Sequence, residues 1–128
     1  MYSIFDTGAS DLMISQLYYD SLILKIMAQV PDVKWRYSDN FRVITECNAN
    51  YPSIYFMFDN LWIETSPQDY LYTDKMMNNC NFLIMPVDLP YNLLGMPIFI
   101  DYYTVFEPQS DTIGWAPHKD SAKESPSF

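Results

Sequence analysis

Ile4-Phe5-Asp6-Thr7-Gly8-Ala9-Ser10 is the stretch on which the reading of this chain turns. Apolar residues run straight into small and polar ones. Ser3 to Phe5 is therefore expected to end an apolar strand, with Asp6 at the mouth of the turn and its side chain free to face a cleft. Asp-Thr-Gly alone is a weak signal, because the same three residues make an ordinary turn. Its weight comes from the strand before it and from Ala9-Ser10 after it.

Past the turn, a helix is expected over about Asp11 to Val30. Tyr19, Ile23, Ile26, Met27 and Val30 recur at i, i+4, i+7, i+8 and i+11, which marks one buried face. Pro31 and Asp32 end it. Beyond Arg36 the apolar period shifts toward two. Ile54–Phe58 and Leu61–Thr65 flank Asp59-Asn60 as a tight hairpin. Ser66 followed by Pro67 suggests a short helical turn. Phe82 to Val87 reads as a strand, and Leu93-Leu94-Gly95 as a buried apolar stretch closed by glycine. Tyr102–Glu107 and Thr112–Ala116 read as strands joined by a type I turn at Pro108–Asp111. His118 to Phe128 is polar, with little to bury, and is expected to be a mobile tail. The coarse reading is mostly β with one or two helices.

At 128 residues the chain has room for one domain with a real core. Sixteen acidic against seven basic side chains leave a net charge of −9, which would repel nucleic acid and anionic membrane surfaces. No apolar run reaches the roughly 18–20 residues needed to span a bilayer, and the N-terminus lacks the basic and apolar regions of a signal peptide. Cys47 and Cys80 are compatible with one disulfide and equally with two buried thiols, composition slightly favouring thiols. The lone His118 gives a histidine triad or zinc site nothing to build on, so neither metal nor cofactor is expected.

The segment Ile4–Ser10 resembles the second active-site segment of the pepsin-like aspartic proteases. Later features match the same region of that family in the same order. Cys47 is followed by Tyr51-Pro52-Ser53-Ile54-Tyr55-Phe56, similar to the family's cysteine, proline and apolar strand. Ser66–Leu71 resembles its Pro-x-x-Tyr turn. Leu93–Glu107 resembles its closing segment, and Ile113-Gly114-Trp115-Ala116-Pro117 its final strand. The match runs from Ile4 to Pro117. It implies an incomplete C-terminal lobe of the bilobal acid-protease fold over residues 1–117, incomplete at its N-terminus, with a polar flexible tail over 118–128.

The resemblance implies a chemistry. Two carboxylates about 3 Å apart cannot both ionise, so they share a proton. The ionised one takes a proton from a water held between them, while the protonated one hydrogen-bonds the scissile carbonyl. Asp6 would be one of the two catalytic aspartates. Thr7, Gly8, Ser10 and Gly95 would support its turn, with Gly95 placed where a strand passes beside the catalytic loop and a side chain would collide. Ile4 and Met85 would line apolar pockets beside the scissile bond, whereas Leu83 and Val87 are more readily core. The resemblance also pairs Cys47 with Cys80 as a disulfide, which implies an oxidising compartment: secretion, or a lysosome- or vacuole-like compartment, for a full-length parent.

Two positions depart from the family pattern. Ala9 stands where a hydroxyl residue usually bonds the carboxylate, which should move the working pH toward neutral. Met96 stands where an aspartate is common, and nothing in the sequence explains it. The chain carries one Asp-Thr-Gly and no flap hairpin, so the implied partners are a missing N-terminal lobe and a peptide or protein substrate. Two alternatives stand beside the bilobal endopeptidase. One is a homodimeric protease of the retroviral kind; the other is an inactive lobe remnant that binds peptides.

Overall fold

Apolar and β-branched residues in short alternating runs, broken by proline, glycine and asparagine, build a chain of small strands. A computed structural model describes residues 3–58, 61–107, 109–110 and 112–117. Its strands and helices run β1 (Ser3–Phe5), β2 (Leu12–Ser15), α1 (Gln16–Ala28), β3 (Trp35–Tyr37), β4 (Val43–Thr45), β5 (Ile54–Phe58), β6 (Leu61–Thr65), α2 (Pro67–Tyr70), β7 (Leu71–Asp74), β8 (Asn79–Phe82), β9 (Ile84–Val87), β10 (Asn92–Leu94), α3 (Met96–Phe99), β11 (Tyr102–Glu107) and β12 (Thr112–Pro117). The mostly β architecture is the one expected for part of a pepsin-like lobe.

One four-stranded sheet has the order β1-β10-β2-β9 and another β3-β4-β8-β7; β5 pairs with β6, and β11 with β12. In the first sheet β1 runs parallel to β10, β10 antiparallel to β2, and β2 parallel to β9. The register aligns Phe5, Leu94, Leu12 and Ile84 in one row. The last three of these are fully buried, so this row faces the core. The neighbouring row, Ile4, Leu93, Met13 and Met85, faces the opposite way and is half-buried to exposed.

Helix α1 buries Tyr19, Ile23, Ile26 and Met27 and packs on β2 and β9. Its N-terminal serine makes no side-chain cap. The Ser15 hydroxyl donates instead to the Leu89 carbonyl at 2.6 Å, and its N–H to Asn92 Oδ1 at 2.8 Å. The helix is therefore held by its apolar face, each fully buried side chain contributing about 1.5–3 kcal/mol.

The helix begins later than its apolar spacing suggests. Leu12–Ser15 is a strand, because pairing on both edges with β10 and β9 satisfies more backbone than one extra helical turn would. At the other end the helix stops at Ala28, with Val30 buried beyond it and Pro31 following. The stretch 82–87 is likewise two strands rather than one. Leu83 breaks it, donating its N–H to the Tyr70 carbonyl and accepting from Leu12 N–H at 2.9 Å, so the chain passes there from one sheet to the other. Phe82 and Ile84 are the core residues of this stretch, whereas Leu83 and Val87, expected in the core, are only half-buried.

The hairpin strands pair as Ile54↔Thr65 through Phe58↔Leu61, its Asp59-Asn60 turn lying outside the described residues. So do Pro108 and Asp111 of the expected type I turn, and the whole of His118–Phe128. At α2, Pro67 occupies the first turn, and the Asp69 carboxylate accepts hydrogen bonds from both the N–H and the hydroxyl of Ser66. Cys47 and Cys80 form a disulfide across 33 positions, tying the segment after β4 to β8, with Cα atoms 5.2 Å apart. The resemblance had implied that pairing.

Candidate active site

Asp6 follows β1 directly. Its N–H continues the parallel ladder by donating to the Leu94 carbonyl at 3.0 Å, and its carbonyl accepts the Ala9 N–H at 3.2 Å to close the turn. Its side chain is oriented from within the turn, where the Gly8 N–H donates to Asp6 Oδ1 at 2.9 Å. The carboxylate remains half-exposed, while Thr7, Gly8 and Ser10 are exposed. A rigid strand thus presents one carboxylate at a surface, with one oxygen held by a backbone donor.

Gly95 backs the turn. A β-carbon there would lie 2.4 Å from the Asp11 carbonyl oxygen and 2.5 Å from that of Ala9. The chain can pass this close only because glycine has no side chain. The approach lets Met96 N–H donate to the Ala9 carbonyl at 3.0 Å. At Gly8 a β-carbon would stand 3.2 Å from Asp6 Oδ1, so the Asp6 turn also has little room for a larger residue.

Ile4 and Met85 share the open face of the first sheet. They occupy the outer positions of its Ile4-Leu93-Met13-Met85 row, three strand spacings or about 14 Å apart. Asp6 lies two residues past Ile4 at one end of that row. Ile4 is 40% exposed and Met85 half-buried, so the two do not form a single pocket by themselves.

One interaction at the site has no counterpart in the sequence reading. Asp11, 5% exposed, ends the turn and pairs with Arg42, Oδ2 to Nη2, at 2.8 Å. Its other oxygen accepts the Ser10 hydroxyl at 3.0 Å, and Arg42 Nη1 donates to the Phe82 carbonyl at 2.9 Å. Arg42 closes a tight loop in which Ser38 N–H donates to the Arg42 carbonyl at 2.7 Å and Phe41 takes a left-handed backbone, φ 64°. Tyr19 braces that loop through a hydrogen bond to the Phe41 carbonyl. Burial raises the Tyr19 phenol well above its ordinary range, with Tyr37 and Asp20 adding to the effect. Tyr37 itself is pushed up to about 12, first by burial and then by its hydrogen bond to Asp20. The one sequence signal for the pair is an aspartate followed at once by an apolar run, where burial demands a cation.

Among the described residues no three His, Cys, Asp or Glu side chains converge as metal ligands, and no helix is long and apolar enough to cross a membrane.

Comparison with known proteins adds two findings. The family described as eukaryotic aspartyl protease matches residues 1–118. Pepsin B of the dog, Canis lupus familiaris, is 27% identical over 124 residues, an alignment that covers 88% of this chain and 29% of pepsin B. The chain thus spans less than a third of the length of that curated relative.

Proposed function

The chain belongs to the eukaryotic aspartyl protease family, and from that premise we propose that it supplies one carboxylate, Asp6, of the aspartate dyad of an endopeptidase. The observation that carries the reading is the half-exposed Asp6 carboxylate at a strand end, one oxygen bound by the Gly8 N–H, with Gly95 packed against the turn.

A dyad needs a second carboxylate close to Asp6, and this chain has a single Asp-Thr-Gly. A partner lobe supplies the other. With both in place the pair shares one proton, because two adjacent carboxylates cannot both ionise. The ionised member removes a proton from the bound water as its oxygen attacks the scissile carbon. The protonated member donates to the carbonyl oxygen, giving a tetrahedral diol. One member then returns its proton to the amide nitrogen while the other takes the proton of a diol hydroxyl, so the C–N bond breaks, the carboxylic acid forms and the dyad again holds one proton. Thr7, exposed on the turn, is available to hydrogen-bond a partner turn, while the Ser10 hydroxyl is bonded to Asp11. The exposed apolar residues Tyr103 and Val105, on one face of β11, offer that lobe a surface to cover. Ile4 and Met85 favour apolar substrate side chains along the open face. The disulfide suits secretion or a lysosome- or vacuole-like compartment.

Purified chain alone, mixed with a quenched fluorescent peptide in acid, should show no hydrolysis. Pepstatin-sensitive cleavage that disappears in Asp6→Asn would overturn the two-lobe reading in favour of a homodimer. Cleavage that survives Asp6→Asn would remove Asp6 from the chemistry altogether.

A further inference from the structure

The geometry points to Asp11 and Arg42 as a positioning pair that sets how the Asp6 turn is presented. On its incoming side the turn is anchored by β1 and the Asp6 N–H bond to Leu94. From behind, it is held by the close approach of Gly95 and the Met96 N–H bond to Ala9. On the outgoing side the backbone is tied at Leu12, whose N–H bonds the Leu83 carbonyl, and Asp11 adds a side-chain link, its carboxylate bonding both the Ser10 hydroxyl and a guanidinium on a different loop. Arg42 then spends a second donor on Phe82, the last residue of β8. A turn whose own side chains are mostly exposed is thereby fixed at its exit to two separate elements.

The pair is more than packing in chemical terms. A buried carboxylate left without its cation would draw in water or move toward solvent, and movement of the Asp11 carboxylate pulls on the Ser10 hydroxyl bonded to it. That motion would open the Gly8–Asp6 contact and turn the Asp6 carboxylate. The functional consequence rests on the reading of Asp6 as catalytic, but the placement itself does not.

The test is residue-resolved amide exchange by NMR on the full chain. The Asp11→Asn/Arg42→Met double variant removes both charges together and leaves no orphaned ion. Exchange at Met96 and Leu12, whose amides bond Ala9 and Leu83, should quicken about tenfold or more. Ile23 and Ile63, in the core, should keep their wild-type rates. Arg42→Lys, which retains a cation but not the forked second bond, should fall between the two. Turn amides that exchange at wild-type rates, or that quicken only in step with the core, would overturn the proposal. Should the double variant not fold, Arg42→Lys decides the matter: it keeps a cation beside Asp11 but gives up the second bond to Phe82, and unchanged exchange at Met96 would again overturn the proposal. Loosened turn amides together with acid proteolysis that ignores Asp6→Asn would uphold the pair and sink the catalytic reading.

Discussion

Replacing Gly95 with alanine tests the close approach of the chain behind the Asp6 turn. The new β-carbon would stand 2.4 Å from the Asp11 oxygen and 2.5 Å from the Ala9 oxygen, both backbone atoms. Carbon–oxygen contacts settle at about 3.3–3.6 Å, so each oxygen must retreat by roughly 0.9 Å. The Ala9 oxygen also accepts the Met96 N–H at 3.0 Å, and that bond would be stretched or lost. Overpacking of this kind costs about 1–3 kcal/mol, and a lost hydrogen bond about 1 kcal/mol more. The variant should therefore be about 2–4 kcal/mol less stable. With a urea slope of about 2 kcal/mol per molar for a chain of this size, the unfolding midpoint falls by about 1–2 M. Gly114→Ala is the control, because a β-carbon there meets nothing within 4 Å. On a strand it should leave stability unchanged or slightly raised. A Gly95→Ala midpoint within about 0.3 M of wild type would refute the argument from close approach.

Opening the Cys47–Cys80 bridge, by reductant or by paired substitution to alanine, should cost about 3–4 kcal/mol for a loop of 33 positions, read as a lower urea midpoint; an unchanged midpoint would contradict it. Burial holds the Tyr19 and Tyr70 phenols above the ordinary value of 10.0. The stabilisation they give is complete below about pH 10 and is lost as pH rises through the raised values. In an alkaline titration followed by tyrosinate absorbance and circular dichroism, these two should ionise only as the fold is lost; all phenols titrating together in a folded chain would be the contrary result. In a protease reconstituted with a partner lobe, Ala9→Thr adds a hydroxyl beside the carboxylate. It should move the acid limb of the rate profile to lower pH by on the order of half to one unit, and an acid limb that stays put or rises would dispose of the reasoning from Ala9.

Local chemistry was legible wherever it was decided locally. The strand before Asp6, both strands of the 54–65 hairpin, the Ser66-Pro67 turn and the closing pair of strands follow from alternation and from turn residues, and the structure has them. The apolar face of α1 was readable at Tyr19, Ile23, Ile26 and Met27 for the same reason. What escaped was decided by distant partners. Leu12 and Ile14 fit a helical pattern as well as a strand, and β9 and β10 settle the choice. The strand break at Leu83 depends on Tyr70 and Leu12, both remote in sequence. The Asp11–Arg42 pair could not be read from spacing, since nothing near Arg42 announces that its charge points inward. For Asp6, sequence and structure each supply half of the site's description: the motif names the carboxylate, and the sheet register shows which apolar row lies beside it.

The central claim about this protein is that Asp6 is one of a catalytic pair. The direct measurement is acid hydrolysis of a quenched fluorescent peptide by the chain refolded together with a lobe that carries a second Asp-Thr-Gly, compared with either piece alone and with the Asp6→Asn chain in the same pairing. Cleavage by the pair, absent from each piece alone and abolished by Asp6→Asn, is the predicted result; cleavage by the pair that Asp6→Asn leaves intact would contradict it.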